Sequence, residues 1–426
     1  MEEILETVEN TYDVIVVGAG AAGMMAAGTA ARNGKRVLLL EKMEKSGRKV
    51  RISGRGRCNV TNARPVDEFT EHVRANAEFF MPAFTAFNNR TTMKFFERMG
   101  CKLETERGER VFPKSGKAWD IANALLDFCV DNHVKIMYDT PVSEVLAVGG
   151  RAYGVKYINK RGFARKEEAK QVIIATGGVS YPATGSTGDG YVFAADLGHE
   201  VEPVRPSLTP LISNHPHIKY MDGLALRNTN AKLFVDEEMV REEFGEIAFS
   251  DRGIEGPIAL RLSRNAVDAL IDERDVKLVL DLKPALTVEI LRERVAREIE
   301  SMEPTEILGE LLRRLVPKYL VIPISEKMGV YSTAYISKIS QDQIEILIAT
   351  LKEFELPIVD YAPFEFAIVT AGGVSCEDVD PETMESLKIK GLYFAGEVLD
   401  LDADTGGYNL QIAFSTGRLA GMLKGC

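Results

Sequence analysis

Two residue types that often carry chemistry are scarce in this chain. Cysteine occurs five times, at positions 58, 101, 129, 376 and 426, with no C-x-x-C pair and no regular spacing. That excludes a disulfide framework and fits a reducing cytosol. Histidine also occurs five times. None has a triad-like setting, and His215-Pro-His217 has too few companions for a metal site. Positive charge is in deficit: 52 Lys and Arg stand against 63 Asp and Glu, a net charge of -11. A general nucleic-acid binder needs cationic surface to displace counterions, so nucleic acid is not an expected partner. A leader is not expected either. The first twelve residues carry four Glu and neither Lys nor Arg, which points to the cytoplasm. The uncharged run from Val14 to Ala31 approaches the length of a membrane span. It is rich in Gly and Ala, however, and has a better explanation, so no membrane association is expected.

What is present is ordinary globular composition: 45% hydrophobic and 27% charged residues in a chain of 426, enough for two or three domains. The run Asp13-Val-Ile-Val-Val17 reads as a buried parallel strand. Gly18-Ala-Gly-Ala-Ala-Gly23 follows at once, then the helix-favouring segment Met24–Asn33 and a second strand, Arg36-Val-Leu-Leu-Leu40, ending at Glu41. This is a β-α-β unit with a G-x-G-x-x-G turn. Gly18 permits the tight turn, Gly20 lets a pyrophosphate approach the backbone, and Gly23 allows close helix–strand packing. The helix N-terminus, including the N–H of Ala22, offers donors and partial positive charge to phosphates. Glu41 is spaced to accept hydrogen bonds from an adenosine ribose, and its charge disfavours a 2′-phosphate.

NAD and FAD both use this unit. Downstream signatures favour FAD, which is long and needs contacts from distant segments. Gln171-Val-Ile-Ile-Ala175 is a second buried strand leading into Thr176-Gly177-Gly178, where backbone can run close to a cofactor. Thr187-Gly-Asp189-Gly and Ala395-Gly396-Glu397 follow. Gly406-Gly407-Tyr-Asn409-Leu410-Gln411 precedes the last helix and can aim N–H groups at a flavin edge. The loop from Arg48 to Arg57 holds five basic residues in ten positions. Lys42, Arg48, Lys49 and Arg57 are expected to neutralise the pyrophosphate, with Ser53, Gly54, Cys58 and Asn59 near the isoalloxazine ring. Cys58 reads as a small packed residue. Val142 completes the expected cofactor-contacting set. The loop lacks interleaved aromatics, which argues against a nucleic-acid patch. There is no second G-x-G-x-x-G, so NADH or NADPH would have to dock transiently as electron donor.

Elsewhere, helical patterns cover about 77–99 and 117–132, and a β-meander turns at Gly149-Gly150. Three prolines between 203 and 210 suggest a domain crossing. Strand character returns at Phe364–Thr370 and at Leu392–Ala395.

Together these strings resemble the BaiN-like flavoprotein family, which also includes aminoacetone-oxidase-type enzymes. Ser53-Gly-Arg-Gly-Arg-Cys-Asn-Val-Thr-Asn62 is the most specific of them, and the resemblance covers nearly the whole chain. Arg55 stands where the family often has glycine. The resemblance implies an α/β fold with a Rossmann-type, two-dinucleotide-fold FAD domain made of residues 1–205 and 362–426. It further implies an inserted β-barrel-like domain (206–285 with 352–361) and a helical domain (286–351). It implies an FAD-dependent oxidoreductase, NAD(P)H-linked and reducing an unsaturated enone or oxo-steroid-like small molecule. The alternatives are an oxygen-linked oxidase of a small amine and a flavin-dependent RNA-modifying protein. For enone reduction an acid must protonate the carbon beside the carbonyl, and Tyr181 and Tyr408 are candidates by location.

Overall fold

The computed structural model describes residues 12–423. The acidic segment before Tyr12, read above for its lack of a leader, and Cys426 lie outside the described residues. The chain forms two compact units. One runs up to Arg205 and resumes at Ile368; the other is Pro206–Ala367.

The first unit is built on a seven-stranded sheet. Strand β1 (Tyr12–Val17) lies between β2 (Val37–Leu40) and the strand Ala164–Ile174. Val14 pairs with Val37 on one side and with Gln171 on the other, both in parallel. Leu392–Phe394 adds a further parallel strand beside Val172–Ile174. A central parallel strand is covered on both faces, which is why these strands read as unbroken apolar runs. The meander is real, but its last strand does double duty. Residues 164–168 pair antiparallel with Gly154–Ile158, and the same strand continues through 171–174 as a parallel neighbour of β1.

Helix α1 (Ala21–Arg32) has ten buried residues and packs on β1, on the helix Ala118–Asp131 and on the last helix, Tyr408–Ala420. Small residues set these distances. A Cβ on Gly417 would lie 2.4 Å from the Ala22 carbonyl oxygen, so the two helices meet backbone to backbone. Met24 and Met25 are fully buried beneath this crossing, each contributing roughly 1.5–3 kcal/mol.

The second unit contains a closed six-stranded barrel in the order Leu211–Ser213, Gly253–Glu255, Glu238–Phe249, Ala225–Val235, Val276–Asp281, Phe354–Tyr361. Its interior is lined by alternating residues such as Ala231, Leu233, Val235, Leu278 and Leu280. The sequence reading separates a helical domain at 286–351 from the barrel. The helices Val288–Glu300, Leu308–Leu315 and Gln341–Lys352 instead bury Leu291, Leu311 and Leu347 in the same apolar cluster as Leu233, Leu278 and Leu356. Amphipathic helices need a surface to cover, and here the barrel side of the unit supplies it. The chain returns to the first unit at Ile368 rather than 362. The expected strand 364–370 is displaced to Val369–Val374, after a turn in which Phe366 N–H bonds Pro363 O.

Candidate functional site

The G-x-G-x-x-G turn does what its spacing requires. Gly23 has no room for a side chain, since a Cβ there would lie 1.8 Å from the Gly18 carbonyl oxygen. Gly20, the N-cap of α1, is the opposite case: no atom lies within 4 Å of where its Cβ would be. No side chain caps the helix. Its first N–H groups therefore face an open cradle at the positive end of the helix dipole.

Glu41 closes this cradle. It is 9% exposed, and its carboxylate accepts the Ala19 N–H at 2.8 Å on one oxygen and the Met43 N–H at 2.9 Å on the other. A carboxylate has about four acceptor positions, so each oxygen keeps one for a ribose hydroxyl. Burial pushes the Glu41 carboxyl above its usual range, against the two backbone donors that hold it charged. The Glu41 carbonyl receives the Thr140 N–H at 2.9 Å, which brings the strand beginning at Val142 alongside.

The basic loop folds differently from its reading. Arg48–Ile52 is a short helix, and Ser53–Gly56 is a tight turn in which Gly54 (φ 56°) and Arg55 (φ 57°) are both left-handed. Cys58 is left-handed as well, at φ 58°. A non-glycine residue there costs about 1–2 kcal/mol, which accounts for a glycine preference at position 55. The cations do not converge on one anion. Lys42 pairs with Asp189 at 2.6 Å and also bonds Thr187. Arg48 pairs with Glu44 at 2.5 Å, Lys49 with Glu397 at 2.8 Å, and Arg57 with Glu106. Each expected pyrophosphate cation thus already has a carboxylate. The aromatics thought missing are supplied by folding. Arg51 and Lys45 lie over the Trp119 ring at 4.2 and 4.6 Å, and Arg57 over Phe112 at 4.3 Å.

Cys58 is fully buried, and burial pushes its thiol up to about 12, so it is packed and protonated. Ser53 turns its hydroxyl back to the Val50 carbonyl at 2.7 Å. Asn59 is the exception in the loop: among the described residues its Oδ1 is buried without a hydrogen-bond partner. A buried orphan acceptor costs about 1–3 kcal/mol, a cost that a donor from a ligand would relieve.

The Ala175–Gly178 segment closes its strand as expected, with Ala175 N–H on Val17 O at 2.9 Å. Glu397 accepts both Lys49 Nζ and the Thr370 N–H, and the Thr370 hydroxyl binds Val179 N–H and Ser180 N–H. Thr370 escaped the sequence reading, since nothing in spacing links it to residue 178. Gly396 and Gly407 are both left-handed, and a Cβ on Gly407 would strike the Thr61 backbone at 2.4 Å.

The polar side chains of the C-terminal run are internal. Gln411 is fully buried; it accepts the Thr61 hydroxyl and donates to Phe87 O, Thr92 and Ser415. Asn409 clamps Ala403 and Asp404 backbone. Neither amide is left over for a ligand, so this segment can offer only backbone, at Asn409 and Leu410. Tyr408 is 2% exposed, stacked on His72 with centroids 4.4 Å apart, and burial pushes its hydroxyl up to about 12. It is a packing residue rather than an accessible acid. Tyr181 lies at a left-handed position (φ 51°) capping a turn, half-buried.

Folding also assembles a group that no local motif announces. Asp404, 3% exposed, binds His72 Nδ1 at 2.9 Å and Arg74 at 2.6 Å. A buried carboxylate on Nδ1 fixes the imidazole's orientation. The partners lie 332 positions apart.

A dinucleotide cradle, a carboxylate at the end of the second strand and returning Thr-Gly-Gly and Ala-Gly-Glu segments define an FAD-dependent oxidoreductase. The chain belongs to the HI0933-like protein Rossmann domain family, whose model matches residues 12–423. It is 32% identical over 411 residues to the 3-dehydro-bile acid delta(4,6)-reductase of Clostridium scindens, covering 95% of this chain and 97% of that one. It is 30% identical over 406 residues to the ribosomal RNA dihydrouridine synthase of Haemophilus influenzae, covering 94% and 96%. Among solved structures, the 3-ketosteroid delta1-dehydrogenase of Sterolibacterium denitrificans aligns with a TM-score of 0.55 at 14% identity, covering 97% of this chain and 99% of that one. At that identity the likeness speaks for the fold. Among the described residues, no helix is long and apolar enough to cross a membrane, and no group of three His, Cys, Asp or Glu is placed to hold a metal ion.

Proposed function

We propose that this enzyme saturates a carbon–carbon double bond conjugated to a carbonyl in a small organic molecule, with NADH or NADPH docking transiently as donor. The observation that carries this reading is the shared chemistry of its full-length relatives. A delta(4,6)-reductase acting on a 3-dehydro-bile acid and an enzyme that makes dihydrouridine both remove a double bond next to a carbonyl. Bound FAD supplies the hydride-transferring ring.

The residues then take these parts. Gly18, Gly20, Ala22 and Gly23 present backbone to the pyrophosphate, with the α1 dipole in place of a convergent set of cations. Glu41 takes the ribose hydroxyls, and Val142 lies on the adenine side. Lys42 with Asp189, and Lys49 with Glu397, act as neutral pairs that can bond cofactor hydroxyls without adding net charge. Gly54 leaves room beside the ring, and Asn59 Oδ1 takes a ring N–H. Gly177, Gly178, Gly396 and Gly407 keep the backbone close. The proton goes to the substrate from His72, held by Asp404, or from Tyr181.

The fit of nucleic acid rests on one specific observation, the Trp119 and Phe112 rings against cations. Against it, Glu44 and Glu106 neutralise Arg48 and Arg57. We therefore place the small molecule first and the RNA base second. Buried thiols at Cys58, Cys101 and Cys129 suit a reducing cytoplasm.

The test is anaerobic. Titrating FAD-loaded protein with NADH, then NADPH, should bleach the flavin band with one of them. Adding a conjugated enone should restore it. Restoration by oxygen alone, with no enone effect, points to an oxidase and sinks the proposal. Restoration by a uridine-containing RNA and by no enone moves it to the second reading.

A further inference from the structure

The barrel-and-helix unit holds a cavity of about 920 Å³. Its walls are the outer faces of the strands Ala225–Val235 and Glu238–Phe249, the loop around Lys283–Leu286, and the helix Val288–Glu300. Lys283 and Arg294 both line it, and among the described residues neither side chain has a hydrogen bond or an ion pair with protein. In the first unit's loop, by contrast, Arg48, Lys49 and Arg57 are each paired with a carboxylate. Lys283 is half-buried, and burial together with the like charge of Arg294 pulls its ammonium below the usual range. Two neighbouring cations that have no ion-pair partner repel each other, and an anion between them relieves that repulsion.

The rest of the wall describes the ligand's body. Phe244, 55% exposed, lines the cavity, and so does Leu286. An exposed aromatic beside an aliphatic side chain offers an apolar bed. Glu242 and Asn230 bond each other on the far strands, so the polar edge there is already satisfied. The strand that carries Phe244 also carries Glu242 and Glu246 at alternate positions, whereas Glu243 between them is taken up by Arg241 and Arg261. A long polyanion laid along it would meet these two carboxylates, whereas a single acid group can sit at the cation pair alone.

We propose that this cavity binds a small amphipathic acid, a carboxylate between Lys283 and Arg294 with its apolar body against Phe244 and Leu286. The site is independent of the flavin reading, because every residue in it lies within 206–367.

The probe is 1-pyrenebutyrate, a fluorescent carboxylate on an apolar ring system, with 1-pyrenebutanol as its neutral counterpart. Binding to FAD-loaded protein is followed by fluorescence, and the thermal melt and flavin spectrum confirm that each variant is folded. The acid should bind at least about tenfold tighter than the alcohol, as expected for a charge-assisted contact in a partly dry site. Arg294→Gln and Lys283→Gln should each weaken the acid about tenfold and leave the alcohol unchanged. Phe244→Ala should weaken both probes. Equal binding of acid and alcohol, or acid binding untouched in both charge variants, would overturn the assignment. So would a single-stranded RNA that binds with the same sensitivity to Arg294 and Lys283 while the pyrene acid does not.

Discussion

The cradle of residues 13–41 and the basic loop of residues 42–62 adjoin in sequence, yet they obey different rules. In the cradle, the turn from Gly18 to Gly23 carries only glycine and alanine, and the contacts that shape it join residues close in sequence. Glu41 reaches Ala19 across 22 positions, and Gly23 sits on Gly18. In the loop, the backbone is left-handed at Gly47, Gly54, Arg55, Gly56 and Cys58, and three of its cations are matched by acids from other segments, as Lys49 is by Glu397. A phosphate site made of backbone dipoles can be packed in advance. One made of cations needs counter-charge while it waits for a ligand, and here the protein supplies that counter-charge itself.

The contrast can be broken most severely at Gly23. Gly23→Val should cost about 3 kcal/mol, the upper part of the overpacking range, and lower the melting temperature with loss of bound flavin. Gly20→Ala separates fold from ligand. Its Cβ enters open space, so stability should change by under about 1 kcal/mol while FAD affinity, measured by equilibrium dialysis, falls about tenfold or more. An unchanged affinity would remove the pyrophosphate from that spot. In the loop, Arg55→Gly relieves about 1 kcal/mol of left-handed strain, partly offset by chain entropy. Urea unfolding should show equal or slightly higher stability, and a clear loss would mean that the guanidinium has a partner worth more than the strain. Cys58 should resist iodoacetamide in native protein at mildly alkaline pH, because its thiol is held near 12; labelling read by mass spectrometry would contradict its burial.

The smallest effect lies at the entrance of β1. Asp13 accepts the Arg36 N–H and pairs with Lys170, and that backbone bond above all lowers its carboxyl from 3.8 to about 2. A depressed carboxyl contributes stability that is present above its unfolded value and lost as pH falls through the folded one. Asp13→Asn should therefore cost about 1 kcal/mol at neutral pH, after solvent screening, and the difference should vanish between pH 3.8 and about 2.

Particular residues show where reading the chain succeeded and why. The strand–turn–helix at 13–33 and the meander turn at Gly149-Gly150 were legible because period, breaker and cap all lie within one short window. The crossing near Pro206 was legible from proline spacing. The helical segment 286–351 was legible as helix but not as part of the barrel's core, because amphipathic periodicity reports that a face is buried and not what buries it. Gln411 and Tyr408 looked like ligand groups next to a Gly-Gly turn. Their hydrogen bonds and rings are used up by Thr61, Phe87 and His72, residues of a distant segment.

By itself, then, the sequence determined that this protein holds an adenine dinucleotide on a β-α-β unit, and that segments from residue 18 to beyond 400 return to it. Those features rest on local sterics: where only glycine fits, and where a buried strand must end. The tertiary structure alone decided which acid neutralises which cation, and that His72 meets Asp404. It also decided that, among the described residues, Asn59 keeps a buried oxygen without a partner, and that Lys283 and Arg294 line one cavity with no carboxylate in ion-pair range of either. Electrostatic partnership depends on distance in space, and at separations such as the 348 positions between Lys49 and Glu397 the order of residues carries no trace of it.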